Sequence, residues 1–435
     1  MKNSRAGVVL SLFALSAGIA FLLPQASRES ELSQSYGITT CPSSVNQAKS
    51  TALLPSKQVG IRELVRSKSD FYKPSSGTPP LTRGAIIVEG DPRNSWVVQA
   101  KSGKWTSSVT CISGSTNSWF VGGTGGVTSQ GKIILANSGL SDAVAEISAF
   151  SENGPRDARS VTVKALSERE IRLDSLDPGS ERMVLRVKVI SGRLTSFLID
   201  ERVRGLNNLG GDFVAPIEEP STEIIIPGIP SRLGSNSKVT HTLRVMSTED
   251  IDTNLSVEVI SREGVYVPVD LGNISINAGE VFDVPLRDLQ LGKSNFGIKI
   301  QSAAPIVAGV FTEIRSGRIS DFMWNSGAPT FNRVSFNVYG LEPMITFIGD
   351  QVNVSVEWRL RDGKVNRKNL VGQEIVNWRV PANTRLITIS NASKVHAGMT
   401  WSTGDGVTSL PIFSAATLES AARPVADIAV IQPKS

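Results

Sequence analysis

Histidine and cysteine are nearly missing from this chain of 435 residues, each occurring only twice. His241, His396, Cys41 and Cys111 lie far apart with no ligand spacing, so no zinc motif can be drawn through them. A Ser-His-Asp arrangement would have to use one of the two histidines. His241 sits inside the strand-like run THTLRVM, and His396 has a similar place in KVHAGMTW. Each reads as a packed or edge residue, since no nucleophile or orienting group can be named for it. No Gly-x-Ser-x-Gly elbow precedes a helix, and no calcium-loop pattern appears. Helical periodicity is scarce as well, with only Val59–Ser67 and Thr417–Arg423 suggesting short helices.

The glycine-rich stretch is a decoy. Gly126 to Lys132 has the spacing of a phosphate-binding loop, but the next position is Ile133 where magnesium would need Ser or Thr. The KIILAN run from Lys132 reads as a strand, whereas such a loop must open a helix. A carboxylate pair stays open, since sequence does not show which ones face each other across a cleft: the candidates Glu249, Asp250 and Asp252 share one polar loop, and Asp405-Gly406 reads as a hairpin turn. No catalytic, metal-binding or cofactor-binding residue is therefore expected, and no cofactor. Net charge is +5, and the cations are scattered. Arg359, Arg361, Lys364, Arg367 and Lys368 are the densest group and read as a solvated hairpin; a polybasic arm for nucleic acid would be less interrupted. A mild attraction to anionic wall polymers is the other reading of this charge.

What the chain does have begins at its N-terminus. Lys2 and Arg5 precede an uncharged run from Ala6 to Leu23. About 18 residues suffice to cross a membrane as a helix, and the run is longer than the ~7–15 apolar residues of a cleaved signal. Two readings stand, an uncleaved anchor and a cleaved signal. In either, the positive flank stays inside and the remainder is exported across a bacterial-type membrane. The expected location is the cell membrane, single-pass with the C-terminal portion outside, or alternatively secretion. In an oxidising compartment Cys41 and Cys111 form a candidate disulfide.

Beyond residue 130 the sequence reads almost wholly as strands, with β-branched alternation bounded by Gly, Asn, Asp and Pro. Lys132–Asn137, Met183–Val189, Thr240–Met246, Phe296–Ile300, Ile306–Thr312 and Val352–Leu360 are examples. A phrase recurs about every 100 residues: VTVKALSEREIRL from Val161, ISINAGEVFDVPL from Ile274 and NWRVPANTRLITI from Asn377. That period suits an immunoglobulin-like sandwich of about seven strands better than a propeller blade. The expected fold is all-β, with tandem immunoglobulin-like β-sandwich units after an N-terminal hydrophobic helix. Its segments are a signal sequence or anchor (1–24), a Ser/Pro-rich segment with strands and the candidate disulfide (25–120), three sandwich units (121–215, 216–330, 331–416) and a tail (417–435). Trp358 and Trp378 lie in strands of the third unit. Trp119, Trp324 and Trp401 fall near unit ends; burial in a core is the default, and facing a ligand is the alternative.

The order of features resembles a known family. A hydrophobic segment, Cys41-Pro42, a second cysteine at Cys111 and the run from Trp119 to Gly123 (WFVGG) come in sequence. LANSGLSDAVAEISAF from Leu135 and the IPGIP run from Ile226 to Pro230 follow. Together these resemble an actinobacterial exported family known only as a domain of unknown function, over most of residues 41–330. The resemblance implies an envelope-exposed β protein and carries no catalytic residues. The expected function is a non-catalytic envelope scaffold or accessory subunit. It would meet the membrane through its N-terminal segment, and an envelope protein or cell-wall polymer outside, with no nucleic acid. A wall-polysaccharide-binding module is the alternative, and an envelope hydrolase the third.

Overall fold

The structure, a computed structural model, describes residues 33–36, 38–64, 70–81, 84–91, 93–232, 237–287, 289, 291–316, 319–414 and 418–421. The chain divides into two compact units, Met1–Tyr36 with Leu418–Ser435, and Gly37–Thr417. In the first, β1 (Ser33–Tyr36) pairs antiparallel with a last strand, Leu418–Ala421. The helix expected near Thr417–Arg423 is thus a strand over its described part. The hydrophobic run Ala6–Leu23 lies outside the described residues. Among those residues no helix is long and apolar enough to cross a membrane.

The described residues of the larger unit are all-β, relieved only by single 3-10 turns at Leu173–Ser175 and Val269–Leu271. Its strands fall into four modules with one pairing scheme. Module I holds β2 (Ile38–Cys41), β3 (Lys49–Leu53), β4 (Gly60–Glu63), β5 (Ile86–Glu89), β6 (Trp96–Lys101) and β7 (Trp105–Thr110). Module II holds β8 (Asn117–Val121), β9 (Lys132–Asn137), β10 (Ala143–Ser151), β11 (Gly154–Pro155), β12 (Arg159–Val163), β13 (Ser167–Arg172), β14 (Met183–Ser191), β15 (Leu194–Arg204) and β16 (Asn207–Val214). Module III holds β17 (Ser221–Ile229), β18 (Lys238–Ser247), β19 (Thr253–Ser261), β20 (Gly264–Tyr266), β21 (Ile274–Ile276), β22 (Phe282–Leu286), β23 (Phe296–Ser316) and β24 (Ile319–Ser326). Module IV holds β25 (Arg333–Asn337), β26 (Met344–Leu360), β27 (Val365–Arg379), β28 (Thr384–Ser390), β29 (His396–Ser402) and β30 (Val407–Ile412).

Module II shows the scheme at its plainest. One sheet pairs β8 with β14 and β14 with β10; the other pairs β13 with β9, β9 with β15 and β15 with β16. Side chains alternate accordingly: along β10 every second residue is buried, from Ala143 to Ser151. In module III the strands equivalent to β14 and β15 fuse into β23. Its first part pairs with β17 and β19, its second with β18 and β24. The chain changes sheets at Ser302-Ala-Ala-Pro305, where small side chains and a proline permit the bend. Two strands were expected here; one continuous strand is found. Module IV fuses different neighbours, in β26 and β27, with the register shift of β26 beside Gly349. Module I is the most reduced. Lone bridges Ile61–Tyr72 and Thr51–Pro80 stand where the other modules have whole strands.

Val59–Ser67 also departs from its helical reading. Gly60–Glu63 is β4, paired with β5, and Val59, Ile61 and Leu64 are buried. Sheet pairing and burial outweigh a short local period.

Each module has its own core, and neighbours lend side chains to it. Ile134, Phe197, Ile199 and Phe213 of module II pack into the core of module I. Phe322 and Trp324 of module III pack into module II. Ile260 of module III packs with Ile348 and Ile375 of module IV. Leu53 and Trp96 of module I pack into module IV. The four modules therefore form a closed ring.

Candidate functional site

At the centre of the ring stand four edge strands, one from each module. β7 lies against β16, β16 against β24, β24 against β30 and β30 against β7. An edge strand carries unpaired backbone donors that must be satisfied when buried. Two aspartates supply the acceptors. Asp321 on β24 accepts the backbone N–H of Gly211 at 3.1 Å, Phe322 at 2.9 Å, Val407 at 2.9 Å and Thr106 at 3.5 Å. Asp212 on β16 accepts Ser107 Oγ at 2.8 Å, Thr408 Oγ1 at 3.0 Å and the Trp324 N–H at 2.9 Å. Each carboxyl thus reaches the other three edge strands. Ser108 Oγ and Thr408 Oγ1 meet at 2.8 Å, and Ser409 Oγ donates to the Trp324 carbonyl at 2.9 Å. Gly406 has to be glycine, because a Cβ there would run into the Asp321 carboxyl and the Thr106 backbone.

Two more buried acids flank the axis. Asp200 accepts Arg202 Nε at 3.1 Å and Nη2 at 2.7 Å, and Trp324 Nε1 at 3.0 Å. Arg202 lies over the rings of Phe311 and Phe322, at 4.6 and 5.1 Å from their centroids. Glu201 accepts Lys101 Nζ at 2.7 Å and Trp105 Nε1 at 3.1 Å, and Asn46 bonds its other oxygen. These groups join modules I, II and III.

Burial raises the Asp212 carboxyl well above its ordinary value, against the pull of its hydrogen bonds. It pushes Asp321 up to about 8, against the four N–H donors. A carboxyl that holds its proton more tightly when folded adds stability in the protonated range. That contribution is complete below the ordinary value of 3.8 and is lost as pH rises through about 8. His241 acts oppositely. Burial lowers it from 6.5 to about 4, so its contribution is present above 6.5 and lost as pH falls through about 4. The melting temperature is thus expected to fall between about pH 6.5, where the opposing gain from His241 is complete, and about pH 8, and Asp321→Asn should flatten that fall. An identical alkaline slope in the variant would remove Asp321 as its source.

Chemically, the axis is a joint. Asp212 and Asp321 do converge and are raised by burial, yet they lie in the interior with their oxygens occupied by protein donors. A cavity near them, lined by Ser108, Phe213, Ser409 and Phe413 among others, is about 10 Å³, room for roughly one water. Sequence reasoning missed these acids. The signal was an aspartate within an otherwise apolar strand, as Asp212-Phe213 and Asp321-Phe322, a residue type depleted in strands.

The residues singled out from the sequence fall elsewhere. Cys41 and Cys111 are joined as a disulfide. It ties the end of β2 to the residue after β7, across the two sheets of module I. Trp119, Trp324 and Trp401 were the candidates to face a ligand, and the structure corrects that reading. All three are at most 5 % exposed. Trp119 sits at the junction of modules II and III against Phe150. Trp324 bonds Asp200, and Trp401 packs edge-on to Trp96, 5.2 Å between centroids. Residues near module ends are buried because the ring closes over those ends.

His241 bonds Thr312 Oγ1 at 3.1 Å, and His396 bonds the Ala328 carbonyl at 2.6 Å; neither is near the axial acids in the hydrogen-bond network. Glu249 and Asp250 are exposed in their loop, and Asp252 accepts the Ala278 N–H at 2.9 Å. Gly126–Gly131 leads into strand β9, as the glycine-rich stretch was read. Asp405 and Gly406 lie in the turn between β29 and β30, where Asp405 accepts the Gly103 N–H at 2.7 Å. Among the described residues no group of three or more His, Cys, Asp or Glu is placed to hold a metal ion.

No curated protein matches the chain. The crystal structure of Thermotoga maritima 1070 is similar at 16% identity over 25% of this chain and 93% of that chain. Its TM-score of 0.21 is too small to bear on fold or function. A family model described as a family of unknown function, DUF5719, matches residues 89–366. That is more than half of the sequence, and the chain belongs to this DUF5719 family.

Proposed function

We propose that the protein is a non-catalytic component of the cell envelope, a scaffold or accessory subunit exposed outside the membrane. The observation that carries this reading is the axis. Its buried acids are engaged in holding four modules in a ring, which is what a rigid spacer or platform requires. The Cys41–Cys111 disulfide supports an oxidising compartment. The run Ala6–Leu23 supports attachment by an N-terminal hydrophobic helix, either an uncleaved anchor or a cleaved signal. Its modules are read as immunoglobulin-like sandwiches. In module II, β9 pairs β13 in one sheet while β10 pairs β14 in the other, around a shared two-layer core. A protein of the envelope is the expected partner, and nucleic acid is not.

A second reading, a module that binds wall polysaccharide, is favoured by a different observation. Trp358 and Trp378 lie 5.6 Å apart in module IV, and Trp358 is only half-buried.

Covalent crosslinking in intact cells, then purification through a C-terminal tag, separates the two. A defined protein recovered in near-equal amount is the expected result. Wall glycan without protein would transfer the case to the second reading. Deleting Met1 to Leu23 should release the folded portion from membranes; retention of that product after a salt wash would remove the anchor.

A further inference from the structure

The densest run of cations in the sequence becomes a built feature in module IV. The second part of β26 and the first part of β27 form a hairpin in which Glu357 faces Arg367, Trp358 faces Asn366 and Arg359 faces Val365. Strand alternation places Trp358 and Lys368 on one face, and Arg359 and Arg367 on the other. Arg361 and Lys364 occupy the turn. Arg359, Arg361, Lys364, Arg367 and Lys368 are all exposed.

The two carboxylates in this stretch are already engaged. Glu357 pairs with Arg367 at 2.7 Å, and Asp362 accepts the Lys364 N–H at 2.9 Å within the turn. Among the described residues, Arg359, Arg361, Lys364 and Lys368 form no ion pair with any carboxylate. Cations that pack into a fold normally acquire such partners, as Arg202 and Lys101 do here. From Arg359 to the level of Lys368 they extend along roughly 10 Å of strand at ~3.3 Å per residue, more than one small ion would need. Among the described residues β27 pairs with β26 alone, so the backbone edge of Val365–Gln373 is unpaired beside them. Trp358, half-buried and backed by Trp378, lies on the face of Lys368 and offers an indole beside that one strand cation.

We propose that this hairpin is a docking surface for an acidic polysaccharide, a linear polymer of sugar rings bearing carboxylates. The cations match the charge of the polymer, and the guanidinium groups can hold carboxylates in bidentate fashion. The Trp358 indole stacks on the apolar face of a sugar ring, and the open strand edge bonds hydroxyls. The proposal rests on the reading that the folded portion lies outside the membrane, where such polymers occur. Its test uses purified protein, so a failure of binding and a failure of localisation are separate results.

The full chain in nonionic detergent is titrated with sodium polygalacturonate, with neutral dextran and with inorganic polyphosphate. Binding to polygalacturonate is expected, weakening about tenfold or more between low salt and roughly 0.3 M NaCl, where screening becomes short-ranged. R361E combined with K364E should weaken it about tenfold. Trp358→Leu should weaken it several-fold, and R359E with K368E, exposed residues on the two faces of the hairpin, checks both faces without touching the core. Arg204→Glu, on a different module, should leave binding unchanged. Wild-type affinity in both charge-reversal variants would overturn the proposal, as would equal binding of dextran. Equally tight binding of polyphosphate, unaffected in Trp358→Leu, would overturn the sugar component.

Discussion

Asp321→Ala is expected to lower the unfolding free energy by about 3–6 kcal/mol, which for a single domain of ordinary stability is a large fraction of the total. The reason is the number of donors that lose their acceptor at once. Gly211, Phe322, Val407 and Thr106 each direct a backbone N–H at this side chain, and Asp321 itself is 1 % exposed. An orphaned buried N–H costs about 1–3 kcal/mol; some relaxation at the 3.5 Å contact to Thr106 keeps the sum below four full penalties. Because three of the donors belong to β7, β16 and β30, the loss falls on three module contacts together. Denaturant unfolding should therefore show a lower midpoint, with a slope reduced if one module detaches before the rest. A change under about 1 kcal/mol would mean that the edge strands hold together by apolar packing alone.

Cys41→Ser is expected to cost about 4 kcal/mol under oxidising conditions, the chain-entropy value for closing a loop of this length; the two cysteines are 70 residues apart. The location sharpens the consequence. Module I has short strands, and lone bridges replace two of its pairings. The disulfide joins its two sheets, and β7 of the same module lines the axis. Loss of the bridge should thus loosen module I against module IV, where Trp96 packs on Trp401 and bonds the Asn337 carbonyl at 2.7 Å. Reduced wild type should match the variant, with tryptophan fluorescence shifted in both. If oxidised variant and oxidised wild type melt together, the disulfide contributes nothing to the native fold.

These two residues also mark what could and could not be read beforehand. The cysteine pair was legible because composition alone leaves one pairing open. Strand identity was legible because it is local: alternation along Ala145–Phe150 reports a buried face whatever lies beyond it. Fusion was not. Phe296–Ile300 and Ile306–Thr312 look like two strands, since Ser302-Ala-Ala-Pro305 resembles a break, yet tertiary packing carries β23 through it. The recurring phrase was only partly in register. From Val161 and from Ile274 it covers equivalent strand pairs, β12 with β13 and β21 with β22. From Asn377 it runs instead from the end of β27 into β28.

The amino-acid sequence by itself determined the all-β class, the positions of most strands and the disulfide, all of which follow from periodicity and composition. Only the tertiary structure decided that module ends are buried, that Trp119, Trp324 and Trp401 face inward, and that Asp212 and Asp321 meet at one axis. Residues 106, 211, 321 and 407 are separated by about 85–110 positions, and no local pattern relates them. Their meeting follows from ring closure, which buries four strand edges and leaves backbone donors that these carboxyls accept.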